Sequence, residues 1–360
     1  MILKKYQIYI GSLFLQKFIN TSLIFFCIVI IINFFEEVRF SEKYNTELYY
    51  TIYLSLLNAP SLLFEILPFV FLITIKFFYL ELNEKNELEI LSSNGISNTK
   101  IIYILSLIAS LLGVFILIFY YSFSSGLKSE YLDIKNKFSN SNEYLAVVND
   151  DGLWIKEELD NKIYFIHAEK FDSNRLKYLT INETNNYYEA KNTIIAETAN
   201  ITSRNWQLKN VSILKDTGNS DKLKSYVYNS TFNGNIISNL FSNLNALNIY
   251  ELHKLSNSYL KIGYSNTDIK IHLNQIYSMP IFYVLMTVFG FIMINKLKKI
   301  KSKFFVIIFG IFMSVIIYYV NYFSSLLGNN GILPIHISIW MPLLILFLIC
   351  NIGLLKINEN

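Results

Sequence analysis

Four histidines and two cysteines are the residues of this chain best suited to bind a transition metal or to attack a carbonyl, and their spacing serves neither purpose. His167, His253, His272 and His336 are scattered, without the HxxxH or HExxH interval that sets two rings on one helix face. Cys27 and Cys350 both lie in apolar runs, which argues against a disulfide framework or a thiolate metal site. No GxxxxGK[ST] phosphate loop, no GxGxxG after a strand and no nucleophile elbow occur. The sequence implies no catalytic, metal or cofactor centre. Its net charge of +4 leaves no footprint for nucleic acid.

Two other features carry chemistry of a different kind. Glu65 is an ionisable group inside an apolar run, where a charge is costly and is a functional candidate by default; the other reading is a watery outer position or a local pairing. The stretch NEKNELEILSSNGISNTKI (Asn83–Ile101) lies between two apolar runs. Asn86 followed by Glu89 has the spacing of a capping box, and Asn94-Gly95 is a left-handed helix stop. Ser97 is placed to cap the next helix. The spacing predicts a short helix at about 83–95, with Leu88 and Leu91 on one face, Ile90 beside them, and an acidic shoulder of Glu84 and Glu87. Such a helix fits a docking element for a cytosolic partner, and it fits a plain amphipathic connector.

The elements that must hold these residues are membrane spans. The 360 residues are 53% hydrophobic with mean hydropathy +0.36, too apolar for an ordinary soluble protein. Uncharged or nearly uncharged runs cover Phe18–Phe35, Ala59–Ile75, Ile101–Leu127 and Leu273–Asn295. A longer one, Phe304–Leu355, is broken at GNNGILP (Gly328–Pro334) into a hairpin of two. One crossing takes roughly 20 residues, so the pattern predicts six helices, three before and three after a polar insert. The first run is long and lacks a cleavage site, so it is expected to stay as a span. The expected domains are 1–127, spans one to three with the short helix; 128–270, the insert; and 271–360, spans four to six. The link NKLKKIKSK (Asn295–Lys303) carries five lysines and is expected on the cytoplasmic side, as are both termini. The insert is then outside and the 83–95 helix inside.

The insert reads as β structure. KIYFIHA (Lys162–Ala168) alternates two faces, and GLWIK (Gly152–Lys156), RLKYLTI (Arg175–Ile181), NTIIAETANI (Asn192–Ile201) and NWQLKNVSI (Asn205–Ile213) are further strand-like runs. Short strands with Asn, Asp and Gly between them suggest a sandwich or an open jellyroll. Residues 239–262 switch to helical spacing through Leu244, Leu247, Tyr250/Glu251 and Leu255. The fold class is an α+β membrane protein with a β-jellyroll-like insert between helices three and four.

ELEILSSNGIS resembles the coupling-helix motif of the LptF/LptG family, the permeases that extract lipopolysaccharide from the inner membrane of Gram-negative bacteria. Pro60 and Pro68, eight apart in span two, resemble the family's paired prolines. GLWIK, then Ala196, Ala199, Trp206-Gln-Leu and Val211, are similar to its jellyroll signature, and GNNGILPIHISIWMP to its last hairpin. The likeness covers nearly the whole chain. NFFEEVRF and GLW lean toward LptG.

The resemblance implies a non-catalytic subunit of an ATP-binding-cassette transporter in the bacterial inner membrane. It implies a paralogous LptF-like partner, an LptB-like cytosolic ATPase dimer, and a periplasmic LptC/LptA-like bridge that takes over the lipopolysaccharide. It places ATPase docking on Glu84, Glu87, Leu88, Leu91 and Gly95. A lipid A headgroup needs cations at the outer rim, and Arg39 and Lys43 are the candidates, with Glu65 nearby in span two; Arg39 serves equally as an interfacial anchor. Aromatics of the first two spans, Phe25, Phe26, Phe69 and Phe71, fit either a cavity lining or plain packing. Where the family often carries lysine, at the outer end of span one and after the first proline of span two, this chain has Asn33 and Ser61. The competing reading is a membrane-anchored scaffold whose β domain binds a partner without moving lipid.

Overall fold

The computed structural model describes residues 4–44, 46–139, 153–159, 162–172, 175–184, 190–215, 220–230, 232, 234, 243–261, 265–296 and 303–358. The Gly152 end of GLWIK, the start of the 239–262 segment and most of the five-lysine link lie outside them. The chain divides into two compact units, Met1–Lys128 with Lys270–Asn360, and Ser129–Ile269.

The first unit is helical. Its elements are α1 (Lys5–Tyr44), α2 (Leu48–Glu84), α3 (Glu87–Ser93), α4 (Asn98–Phe115), a π-turn (Ile116–Tyr120), the start of α5 (Tyr121–Ser139), α7 (Thr267–Lys296), α8 (Lys303–Asn329) and α9 (Ile335–Asn358). Among the described residues six helical segments are long and apolar enough to cross a membrane, α4 and α5 counting as one through the π-turn. Both prolines of span two sit inside α2 without ending it. A proline removes one ladder donor, which neighbouring helices can offset in a membrane. Separately from that ladder, Tyr120, at the end of the π-turn, donates its hydroxyl to the Pro60 carbonyl at 3.1 Å and so ties the π-turn to α2.

Helices in lipid gain nothing from excluding hydrocarbon, so close approach and interhelical hydrogen bonds hold them. Small residues mark the contacts. Gly290 of α7 meets Ile75 and Leu72 of α2, Gly113 of α4 meets Pro280, and Gly353 of α9 meets Ile292. Ser324 donates to the Ser338 carbonyl at 2.6 Å and Trp340 to Asn274 at 3.2 Å. α2 and α7 form the interior, with 72% and 67% of their apolar windows buried, against 17% for α1 and α8. Outward faces of α1 and α8 are therefore left to lipid or to another chain. Between α1 and α2 runs an aromatic ladder, Phe14–Phe78, Phe18–Phe71 and Phe25–Phe69, with ring centroids 6.0, 4.7 and 5.1 Å apart. Phe71 also stacks on Tyr283 at 4.7 Å. Phe25, Phe69 and Phe71 thus take the packing role.

The second unit holds β1 (Leu153–Leu159), β2 (Lys162–Asp172), β3 (Arg175–Thr184), β4 (Ala190–Asn200), β5 (Asn205–Lys215), β6 (Ser220–Asn229) and the helix α6 (Ile249–Lys261). The strands form one antiparallel sheet in chain order. Among the described residues there is this one sheet, not two facing sheets of a sandwich. The first and last strands instead meet through side chains, because Tyr228 of β6 bonds Glu157 of β1 at 3.0 Å. The sheet rolls toward itself, and the inward face carries Leu153, Ile155, Ile166, Leu179, Trp206 and Leu208, all at most 1% exposed.

A crease crosses the sheet. Glu169, Tyr178, Glu197, Asn210 and Lys224 fall opposite one another by register but are skipped in every ladder. Tyr178 and Asn210 have left-handed φ of 53° and 52°. On either side of this row the buried residues step by three instead of two: Leu176 and Leu179, Ala196 and Ala199, Leu208 and Val211. Two consecutive outward residues in each strand keep the same face inward on both sides of the bend.

β6 was not expected from the sequence, because SDKLKSYVYN lacks apolar alternation and is exposed almost throughout. In α6 the buried stripe is Leu252, Leu255 and Ser256, and Tyr250 is 78% exposed. The expected stripe through Tyr250 is corrected by one residue position of helix rotation. Asn248 and Glu251 form a reciprocal capping box, both bonds at 2.9 Å.

Candidate functional site

One end of the helical unit is built around α3. α2 runs to Glu84, and a two-residue turn leads into α3, which spans Glu87–Ser93, a shorter helix than the 83–95 expectation. The capping box does not form. Asn86 stands at the N-cap position with φ 56°, and its side chain makes no cap bond. The left-handed turn that redirects the chain out of α2 takes Asn86 out of the extended conformation that a capping side chain needs. The other end follows expectation in detail. Gly95 has φ 75°, its N–H reaches the Ser92 carbonyl at 3.0 Å, and Ile96 N–H reaches the Leu91 carbonyl at 3.0 Å. That pair of bonds is a Schellman stop. Ser97 then caps α4 by accepting the Lys100 N–H at 3.4 Å.

The faces of α3 divide differently from the apolar pattern. Leu88 points inward and is 9% exposed, Leu91 is half-buried, and Ile90 is 57% exposed. Glu84 is exposed and Glu87 half-buried. Tyr9 of α1 donates its hydroxyl to Glu87 at 2.6 Å. One turn back along α2, Glu81 pairs with Lys17 of α1 and with Lys85, the latter at 2.8 Å. Beside that carboxylate the Lys85 ammonium is held above its ordinary pKa. α1, α2 and α3 are tied together here by charged and hydroxyl groups. Tyr9 and Lys17 were not singled out from the sequence, because nothing in a linear pattern pairs Tyr9 with a residue 78 positions away.

The opposite end of α1 and α2 holds a polar cluster. Asn33 is fully buried and donates to the Ser55 carbonyl at 3.2 Å, while Asn58 donates to the Asn33 side-chain oxygen at 2.9 Å. Lys128 donates to the Asn58 side-chain oxygen at 2.5 Å. Ser61, 6% exposed, lies one turn further along α2. Glu65 is on the exposed side of α2, and the charged neighbour that acts on it is Lys128. Arg39 and Lys43, one helical turn apart on α1, are both exposed, and the Lys43 ammonium lies 5.1 Å from the Tyr44 ring centre. Lys128 is the cation that sequence reasoning missed. It closes an uncharged run in the sequence, yet its side chain reaches back across the helices to Asn58.

Among the described residues no cluster of histidine, cysteine or carboxylate groups has the makings of a metal site. The arrangement suits grip and mechanical linkage: a short stiff helix at one end of α1 and α2, a buried amide network with a cation at the other. A family model described as lipopolysaccharide export system permease LptF/LptG matches residues 8–356. No curated protein matches the chain.

Proposed function

The chain belongs to the LptF/LptG family of lipopolysaccharide export permeases, multi-pass proteins of the inner membrane, and from that premise we propose that it is one of two paired six-helix subunits worked by a separate ATPase. The observation that carries this reading is α3, a seven-residue helix stopped by Gly95 and spliced between two spans. Docking on α3 falls to Glu87, Leu91 and the outward Ile90, with Glu84 and Gly95 framing it; Leu88 anchors the helix to its own chain. A push on α3 enters α2 directly, α4 through the Gly95–Ser97 turn, and α1 through Tyr9 and Lys17. In this orientation the termini and α3 are cytoplasmic and the β unit is periplasmic.

At the periplasmic end, the lipid phosphates meet Arg39, Lys43 and Lys128, and Glu65 sets the local charge beside Lys128. Lys128 supplies the cation that Asn33 and Ser61 do not. The creased β sheet receives acyl chains on its apolar inner face and passes them to an LptC/LptA-like bridge. The subunit is the LptG-like half, by NFFEEVRF and GLW, and an LptF-like chain completes the pair.

Glu87→Lys combined with Ile90→Arg tests the reading. The expected result is loss of the co-purifying ATPase from a chain that remains in the membrane and remains folded. Retention of the ATPase with coupled hydrolysis would overturn the docking assignment. A photo-crosslinker at Arg39 is expected to capture lipopolysaccharide in an ATP-dependent way, whereas capture indifferent to ATP supports a scaffold.

A further inference from the structure

Among the described residues the inside of the β sheet is largely apolar, and Glu157 is the buried acid on it. Glu157 of β1 is 2% exposed, yet it carries a carboxylate. Each of its oxygens accepts one hydroxyl: Tyr228 of β6 on one, Ser230 just beyond β6 on the other, both at 3.0 Å. Ser230 in turn accepts the Phe232 N–H at 3.1 Å, and the Trp206 indole donates to the Phe232 carbonyl at 2.8 Å. Burial first, and then the Glu157 carboxylate, push the Tyr228 phenol well above its ordinary pKa, so it stays a donor at any physiological pH.

These contacts join the two ends of the strand order. Every other neighbouring pair of strands is held by a backbone ladder, from β1–β2 through β5–β6. β1 and β6 are not neighbours in the sheet, and among the described residues Tyr228 and Ser230 link them to Glu157 through side chains. A join meant to be permanent is better made by a ladder or by apolar packing, since a buried carboxylate is expensive to keep. Side-chain hydrogen bonds can be exchanged for water or for the hydroxyls of an incoming molecule without disturbing any ladder. β6 is also the strand least anchored by its own faces, exposed from Ser220 to Ser225. Behind the join lie Ile155, Ile166, Ala168, Leu179 and Ala196, each at most 1% exposed.

We propose that the β1/β6 join held by Glu157, Tyr228 and Ser230 is the releasable seam of the roll, and that acyl chains enter the apolar interior sideways through it. The seam rests on the lipid-handling reading above for its cargo, and on its own geometry for its opening. Release exposes the interior along the full length of β1, so a multi-chain amphiphile enters without threading end-on.

The test uses the full chain assembled with its transporter partners in proteoliposomes. Cys27 and Cys350 are replaced by serine, and Ile166→Cys reports on the interior with a charged maleimide. Tyr228→Phe with Ser230→Ala is expected to speed labelling about tenfold, with the protease resistance of the β unit retained. Unchanged labelling overturns the seam. In a chain without the Ile166→Cys reporter, Glu157→Cys with Ser230→Cys, bridged by a short reducible bis-thiosulfonate, locks it: lipopolysaccharide capture by a photo-crosslinker at Leu179 is lost, and reductant restores it. A locked chain that captures lipid as well as the reduced one overturns side entry. Should even the reduced parent capture no lipid, the permease reading fails at this unit and side entry with it, while the maleimide rates still decide whether the seam opens.

Discussion

The Tyr9 hydroxyl and the Glu87 carboxylate lie 2.6 Å apart, binding the start of α1 to the first residue of α3. Glu87 is the acid that the docking assignment puts against the ATPase, so α1 shares in whatever holds α3. On the proposed docking, α1 is expected to move with α3.

Tyr9→Phe removes this bond and keeps the ring. Tyr9 is 40% exposed, so water replaces much of the lost bond and the cost is about 0.5 kcal/mol, too little to unfold the chain. ATPase binding is expected to persist while transport per ATP hydrolysed falls. Measuring hydrolysis and lipopolysaccharide release side by side separates the two, and an unchanged ratio would show that α1 takes no part in the stroke.

Gly95→Ala tests the stop after α3. A Cβ at Gly95 meets no atom within 4 Å, so the penalty comes only from the 75° φ, about 1 kcal/mol. Gly95→Asn, which tolerates that region better, is expected to cost roughly half as much. Hydrogen exchange of the α3 amides is the readout: faster for alanine, intermediate for asparagine, with the spans unaffected.

Asn58→Ala breaks the buried amide chain from Ser55 and Asn33 to Lys128. Leaving those polar groups short of a partner is expected to lower stability by about 2 kcal/mol. Asn33→Ala alone is expected to cost less, and the double substitution less than the sum of the two, because both act in one network. Unfolding in a detergent titration gives all three values; strict additivity would show the two amides to be independent.

Much of this protein is legible along the chain. Six spans follow from apolar runs of sufficient length, since a long continuous apolar run satisfies its own backbone in hydrocarbon as a helix. Pro60 and Pro68 did not disturb that reading. Gly95 and Ser97 announced a stop and a start because both act within a few residues of themselves. Strands β1 to β5 followed from short strand-like runs, of which that of β2 alternates two faces. Wherever a cause is local, with donor and acceptor a few positions apart, spacing is enough.

Tertiary structure decided what depends on distant groups. Asn86 and Glu89 have the capping-box spacing but not the bond, whereas Asn248 and Glu251 have both; the difference is the left-handed turn required to leave α2. Leu88 and Ile90 look alike in the sequence, and only packing against the helical unit buries one and exposes the other. Lys128 looks like the end of a span until its ammonium is seen on Asn58, and Glu157 looks like one acid among many in a polar insert until Tyr228 and Ser230 close over it. The physical reason is common to all four. Spacing along a chain fixes which neighbours a residue has within a turn or a strand, but burial and hydrogen-bond partners across elements exist only once those elements have packed.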